Sequence, residues 1–125
     1  MVNLYGTENA TNNYMEKRKY KRHFQSIAIT YVPIYNNTKY PTQGHIVNYS
    51  EGGILFEAKD KIDPGTNMSI HITIRNKHFI IKGNTLRSNQ SNLYQKWHNA
   101  IACAEQSDHY VMKTIENILQ PESSN

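Results

Sequence analysis

The sequence predicts an all-β fold with one helix: a six-stranded antiparallel β-barrel with a C-terminal amphipathic α-helix. Two observations lead there. Apolar residues recur at every second position in six short runs separated by turn signals, the spacing of strands that bury one face. Only the last apolar set changes period: Val111, Ile115, Ile118 and Leu119 stand at i, i+4, i+7 and i+8, a single helical stripe that has to lie on something. Short strands with one covering helix suit a small antiparallel barrel.

The first strand begins near Gln25, where Ile27, Ile29 and Tyr31 alternate with Ser26, Ala28 and Thr30. Pro33 and Asn36-Asn37 break the run, and a second extended segment covers residues 42–47. Residues 48–53, Asn-Tyr-Ser-Glu-Gly-Gly, form a turn of residue types that bond their own backbone or tolerate positive φ. The third strand, 53–57, leaves that turn at once. After Asp63-Pro64-Gly65 comes the clearest alternation, Met68, Ile70, Ile72 and Ile74 against Ser69, His71, Thr73 and Arg75. Asn76-Lys77 turns the chain into a fifth strand, 78–86, the polar stretch 88–92 is a loop, and 97–104 is the sixth strand. Ser107 or Asp108 is placed to cap the helix, and Pro121 marks its end. The expected organisation is a flexible tail over 1–14, one domain over 15–120, and a short tail over 121–125.

Composition narrows the function. At 125 residues the chain is one small domain. Its single cysteine, Cys103, allows neither an intrachain disulfide nor a paired-cysteine metal site and favours a reducing, cytoplasmic setting. Residues 1–14 are polar and Asn-rich with no apolar leader, and no run approaches the roughly 20 apolar residues of a membrane span. Six histidines show no paired ligand spacing, so no metal is expected. Nothing resembles a nucleophile elbow, a carboxylate pair or a phosphate-cradling loop opening a helix, so catalysis is not expected.

Charge is the feature that points to a ligand. Lys17, Arg18, Lys19, Lys21 and Arg22 are five of the 14 Lys and Arg residues, leaving nine against 10 acids elsewhere. A near-neutral body with one basic segment before its first strand suggests an anionic docking site. Within it, Arg18 and Arg22 lie four residues apart; each guanidinium is a planar fork matched to phosphate oxygens or to the O6 and N7 edge of guanine. The second element is Asn48-x-Ser50-x-x-Gly53, combining amide and hydroxyl groups with glycines that let backbone approach a ligand. Taken singly, the first is an ordinary solvated basic segment and the second an ordinary turn.

Together and in order, they resemble the PilZ domain family: Arg-x-x-x-Arg before a first strand, Asn-x-Ser-x-x-Gly opening a later one, Pro-Gly-Thr before a long alternating strand, and a closing helix. The resemblance runs over about residues 16–119. It implies a six-stranded barrel that binds the bacterial second messenger cyclic di-GMP without enzymatic activity. Arg18 and Arg22 would grip guanine edges and phosphates on a segment that folds over the ligand, and Asn48, Ser50 and Gly53 would receive the other guanine. Ordering such a segment costs roughly 1–2 kcal/mol per backbone residue, which the charge-assisted bonds have to exceed. Lys17, before the first arginine, implies a second stacked ligand molecule, yet lysine lacks the arginine fork, so one or two molecules per chain both stand. Asn48 replaces a frequent Asp, and residues 97–102 lack the Gly-containing pattern many members show. A receptor of this kind relays its state to an unidentified downstream protein. The alternative function is a single-stranded nucleic-acid-binding barrel, suggested by the basic segment and its neighbouring tyrosines; the paired motifs make a nucleic-acid polymer the less favoured partner.

Overall fold

Strands whose alternate residues are isoleucine can hide one face only by curling around it, and this chain does so completely. In the computed structural model, which describes residues 20–34, 40–93 and 95–121, the six strands are β1 (His23–Pro33), β2 (Thr42–Ser50), β3 (Gly53–Ala58), β4 (Asn67–Ile74), β5 (Lys77–Gln90) and β6 (Trp97–Cys103), followed by helix α1 (Gln106–Leu119). They close into a barrel in the order β1-β2-β3-β6-β5-β4, with every neighbouring pair antiparallel. The predicted tail over 1–14 lies outside the described residues, as do residues 122–125 of the C-terminal one. No helix among the described residues is long and apolar enough to cross a membrane.

The alternating run on β4 supplies Met68, Ile70, Ile72 and Ile74, all buried, and Ile29, Tyr31, Ile46, Tyr49, Phe56 and Ile81 meet them from other strands. Each such side chain contributes about 1.5–3 kcal/mol by leaving water. Helix α1 packs against β5, β2 and β6, and its Met112 and Ile115 join the same core, while Val111, Ile118 and Leu119 are partly buried against it.

Several boundaries differ from expectation for identifiable reasons. The turn after β2 is only Glu51-Gly52: Asn48 and Ser50 belong to β2 and Gly53 to β3, with Ser50 paired to Gly53. The β4–β5 turn is Arg75-Asn76, both at positive φ (51° and 68°), the backbone that a two-residue hairpin requires. β5 continues to Gln90 because Ser88, Asn89 and Gln90 pair with Asn99, His98 and Trp97. The wall is polar there: Ser88 Oγ donates to Asn99 Oδ1 at 2.5 Å, and Asn99 Nδ2 donates to the Asp60 carbonyl at 3.1 Å, so Asn99 is fully buried yet satisfied. Helix α1 starts after Glu105 rather than at Ser107; Asp108 sits in the first turn, where its Oδ2 accepts from the Glu105 backbone N–H at 3.1 Å and its Oδ1 from Lys82 N–H at 2.8 Å. The carboxylate thus holds the helix start to β5 and lies at the favourable end of the helix dipole.

Candidate functional site

Arg22 directly precedes β1, whose pairing with β2 sets His23 opposite Tyr49 and Phe24 opposite Asn48. The arginine is thereby delivered beside the end of β2, and its Nη1 donates to Asn48 Oδ1 at 2.8 Å. Tyr49 points into the core, so Asn48 and Ser50 lie on the outer face, where Asn48 is nonetheless only 5% exposed. Ser50 Oγ accepts the Gly52 N–H at 3.1 Å and ties down the two-residue turn. The ring of Tyr20 lies on Gly52: a Cβ there would come within 2.8 Å of Tyr20 Cδ2.

The glycine at 53 has a different reason from the one expected. Among the described glycines only Gly65 has positive φ. A Cβ on Gly53 would fall 2.1 Å from the Ile101 carbonyl oxygen, so the residue is glycine because β3 and β6 nearly touch. Lys17 and Arg18 lie outside the described residues.

The base of the arginine segment is fastened to the helix. His23 Nε2 is 2.6 Å from Glu116 Oε2, and Lys113 Nζ is 3.3 Å from Glu116 Oε1. Burial raises the Glu116 carboxyl, but the bonds from His23 and Lys113 together outweigh it and leave the group below its usual range. The His23 ring stacks at 5.2 Å on Tyr49, whose hydroxyl accepts from Gln120 Nε2 at 3.0 Å. Tyr20 meets the His109 ring at 5.8 Å, and His109 Nδ1 reaches the Glu51 carbonyl at 3.1 Å.

Of the site residues, Tyr20, Arg22, Ser50, Gly52 and Gly53 line a cleft of about 230 Å³ on the outer wall, and Asn48 is not part of its lining. Tyr20, Arg22 and Ser50 stand at one side, Gly53 with Ala100 and Ala102 of β6 lies between, and Leu86 and Arg87 of β5 complete the far side. Among the described residues no carboxylate lines it. Leu86 and Arg87 were not anticipated; a lone basic residue in a polar strand carries no signal of its own. Cys103 is partly buried against the core, and burial pushes its thiol up to about 12. No group of three or more His, Cys, Asp or Glu among the described residues is arranged to hold a metal ion.

The described residues thus form a closed six-stranded β-barrel carrying a helix, with an arginine-bearing cleft on its outer wall. The chain belongs to the PilZ domain family, whose model matches residues 16–119. It is similar in structure to the Bacillus subtilis inhibitor of motility MotI/DgrA (TM-score 0.63, 16% identity, 84% of this chain and 53% of that one). It is also similar to the PilZ domain of YcgR with c-di-GMP from Escherichia coli (TM-score 0.66, 10% identity, 86% and 94%) and to the K. pneumonia MrkH–c-di-GMP complex (TM-score 0.63, 10% identity, 86% and 55%). The chain spans only about half the length of MotI/DgrA and of MrkH. No curated protein matches its sequence.

Proposed function

We propose that the chain is a non-enzymatic, cytoplasmic receptor for cyclic di-GMP that binds through Arg18, Arg22, Asn48, Ser50 and Gly53, with Lys17 as supporting charge, and relays its ligand state to a downstream protein. Family membership and the c-di-GMP-containing relatives support the ligand. The observation that carries the reading is the 2.8 Å bond from Arg22 to Asn48, which ties two motifs 26 positions apart together beside a cleft that Arg22, Ser50 and Gly53 line and to which no described carboxylate contributes.

The geometry suggests how binding proceeds. Without ligand, the Arg22 fork is held by a neutral amide oxygen. A phosphate, or the O6 and N7 edge of guanine, competes for that fork, because either can take two parallel N–H bonds in place of one and the phosphate adds opposite charge. Turning Arg22 toward the ligand releases Asn48 Oδ1, which can then accept from the guanine N1–H or N2–H₂. Ser50 holds the turn so that the Gly52-Gly53 backbone can approach the base closely. Because Arg22 adjoins His23, which is bonded to Glu116 of α1, movement of the arginine segment is felt at the helix, a route by which a partner could sense the ligand.

Calorimetric titration with cyclic di-GMP tests the proposal and gives the stoichiometry, one or two molecules per chain. Binding that weakens at least tenfold in Arg22→Ala and Arg18→Ala is expected, as is no binding of cyclic di-AMP, whose bases lack the guanine O6 and N2 groups. Absence of heat at tens of micromolar, or affinity unchanged in both variants, refutes it. The nucleic-acid alternative gains little from the cleft, where the described residues present one aromatic ring, Tyr20, and a strand-tracking platform needs several.

A further inference from the structure

We infer that Arg87 is a further ligand-binding residue, a second guanidinium that closes on the ligand from the side of the cleft opposite Arg22. The inference rests on the receptor reading above and adds to it a residue outside both motifs.

The backbone of β5 is shaped to present this side chain. Its inward positions fall at every second residue, Ile81, Gly83 and Thr85, all buried. Continued without interruption, that alternation would point Arg87 into the barrel. A bulge between Thr85 and Arg87 inserts Leu86 and shifts the phase, so that Leu86 and Arg87 both face outward and are exposed. Bulges characteristically re-aim a side chain in this way, and here the re-aimed side chain is a cation lining the cleft.

What lies around Arg87 fits a ligand better than it fits a structural role. Arg87 pairs with Ala100 across β6, and Gly53 pairs with Ala102 from the other side. Within the cleft, β6 offers the small outward side chains of Ala100 and Ala102 beside Gly53 of β3, which leave the floor low. Arg87 has no ion-pair or hydrogen-bond partner among the described residues, and none of the described residues lining the cleft is a carboxylate that could neutralise it. Leu86 adds an apolar edge against which a heterocycle can rest. Guanidinium groups on opposite sides of a small-residue floor suit a flat base bearing a phosphate, each fork taking a pair of acceptors from its own side.

Titration of the intact chain with cyclic di-GMP at fixed ionic strength provides the test, in the wild type and in Arg87→Ala, Arg87→Lys and Lys77→Ala. Lys77 is exposed at the β4–β5 hairpin, ten residues from Arg87 along β5, roughly 30 Å at strand rise, so its removal matches the loss of charge without touching the cleft. The expectation is a loss of about tenfold or more for Arg87→Ala, an intermediate affinity for Arg87→Lys, which keeps charge but not the fork, and a change under about twofold for Lys77→Ala. Equal urea midpoints for wild type and Arg87→Ala accompany this, since the side chain packs against no structural partner. Wild-type binding with Arg87→Ala equally tight overturns the inference and leaves the receptor reading standing. Equal losses in Arg87→Ala and Lys77→Ala also overturn it, because bulk charge would then be the cause. A wild type that binds no cyclic di-GMP removes the receptor reading and this residue's role with it.

Discussion

Replacing Gly53 by alanine puts the narrowest contact of the barrel wall to a quantitative test. The added Cβ would lie 2.1 Å from the Ile101 carbonyl oxygen, 3.1 Å from the Ile101 carbonyl carbon and 3.2 Å from Ala102 Cα. All three are backbone atoms of β6, held by pairing of Gly53 with Ala102 and Ile54 with Ile101. An ordinary contact needs the strands to part by about 1 Å, and a closed barrel has no free edge toward which β3 can drift. Overpacking of this kind costs about 1–3 kcal/mol, and a weakened ladder bond adds about 1 kcal/mol. Alanine recovers about 0.5–1 kcal/mol through the lower entropy of its unfolded chain. The net loss is about 2 kcal/mol, a sizeable part of the 5–15 kcal/mol typical of a domain. With a urea slope of about 1.5 kcal/mol per molar, the unfolding midpoint falls by about 1.5 M at unchanged slope. Gly52→Ala is the control: its Cβ meets the side chain of Tyr20, which can rotate, so its midpoint falls by less than about 0.7 M. A Gly53→Ala midpoint equal to the wild type would refute the argument, because β3 and β6 could not then be so close.

Other perturbations follow from single contacts. Asn48→Asp keeps the acceptor that Arg22 uses and offers the guanine a second one, so cyclic di-GMP binding by calorimetry stays equal or tightens; a large loss would mean that the Asn48 amide N–H₂ is itself a donor to the ligand. The Glu57 carboxyl is held below its usual range by the Ser91 hydroxyl first, and by the His98 bond and the charges of His98 and His45, against burial that raises it. A folded-state value below the unfolded one of about 4.3 means this stabilisation is complete above that pH and disappears as pH falls through the folded value. Glu57→Gln should therefore lower the urea midpoint at neutral pH, with a deficit that shrinks below about pH 4; a deficit constant with pH would refute the assignment. With its thiol near 12, native Cys103 carries on the order of a thousandfold less thiolate at pH 8 than a free cysteine. Alkylation in native buffer should be slower than in urea by about that factor, and equal rates would show that the site opens readily.

How much was legible depended on whether hydropathy or geometry chose the residue. The isoleucines of β4 bury an apolar side chain at every second position, so the strand was plain from its period. The last turns of β5 were read as loop because their inward partners are Ser88 and Asn99, which satisfy each other by hydrogen bonding and leave no hydropathy trace. Met112 was not counted in the α1 stripe, although it stands three residues before Ile115 and seven before Leu119 and so shares the face that enters the core. Turn chemistry around residues 48–53 marked the reversal between β2 and β3, yet the reason given for Gly53 was conformational where the actual constraint is the carbonyl of a strand nearly 50 residues later. Arg87 was illegible because its outward aim depends on a bulge, and one inserted residue in a polar stretch cannot be distinguished from continuing alternation.

The closed strand order also limits how this protein can speak to another. An open sheet offers a row of unpaired N–H and C=O groups that a second chain can join as an extra strand. Here β1 pairs with both β2 and β4, so the ring has no seam and main-chain recruitment through the barrel is closed off. A macromolecule that distinguishes one state of this domain from another has to do so by side-chain shape and charge, on the helix, the turns and the cleft rim. The Tyr20–His109 and His23–Glu116 contacts join the helix to residues beside Arg22, so under the proposed relay a change of grip at Arg22 would reach one of those surfaces.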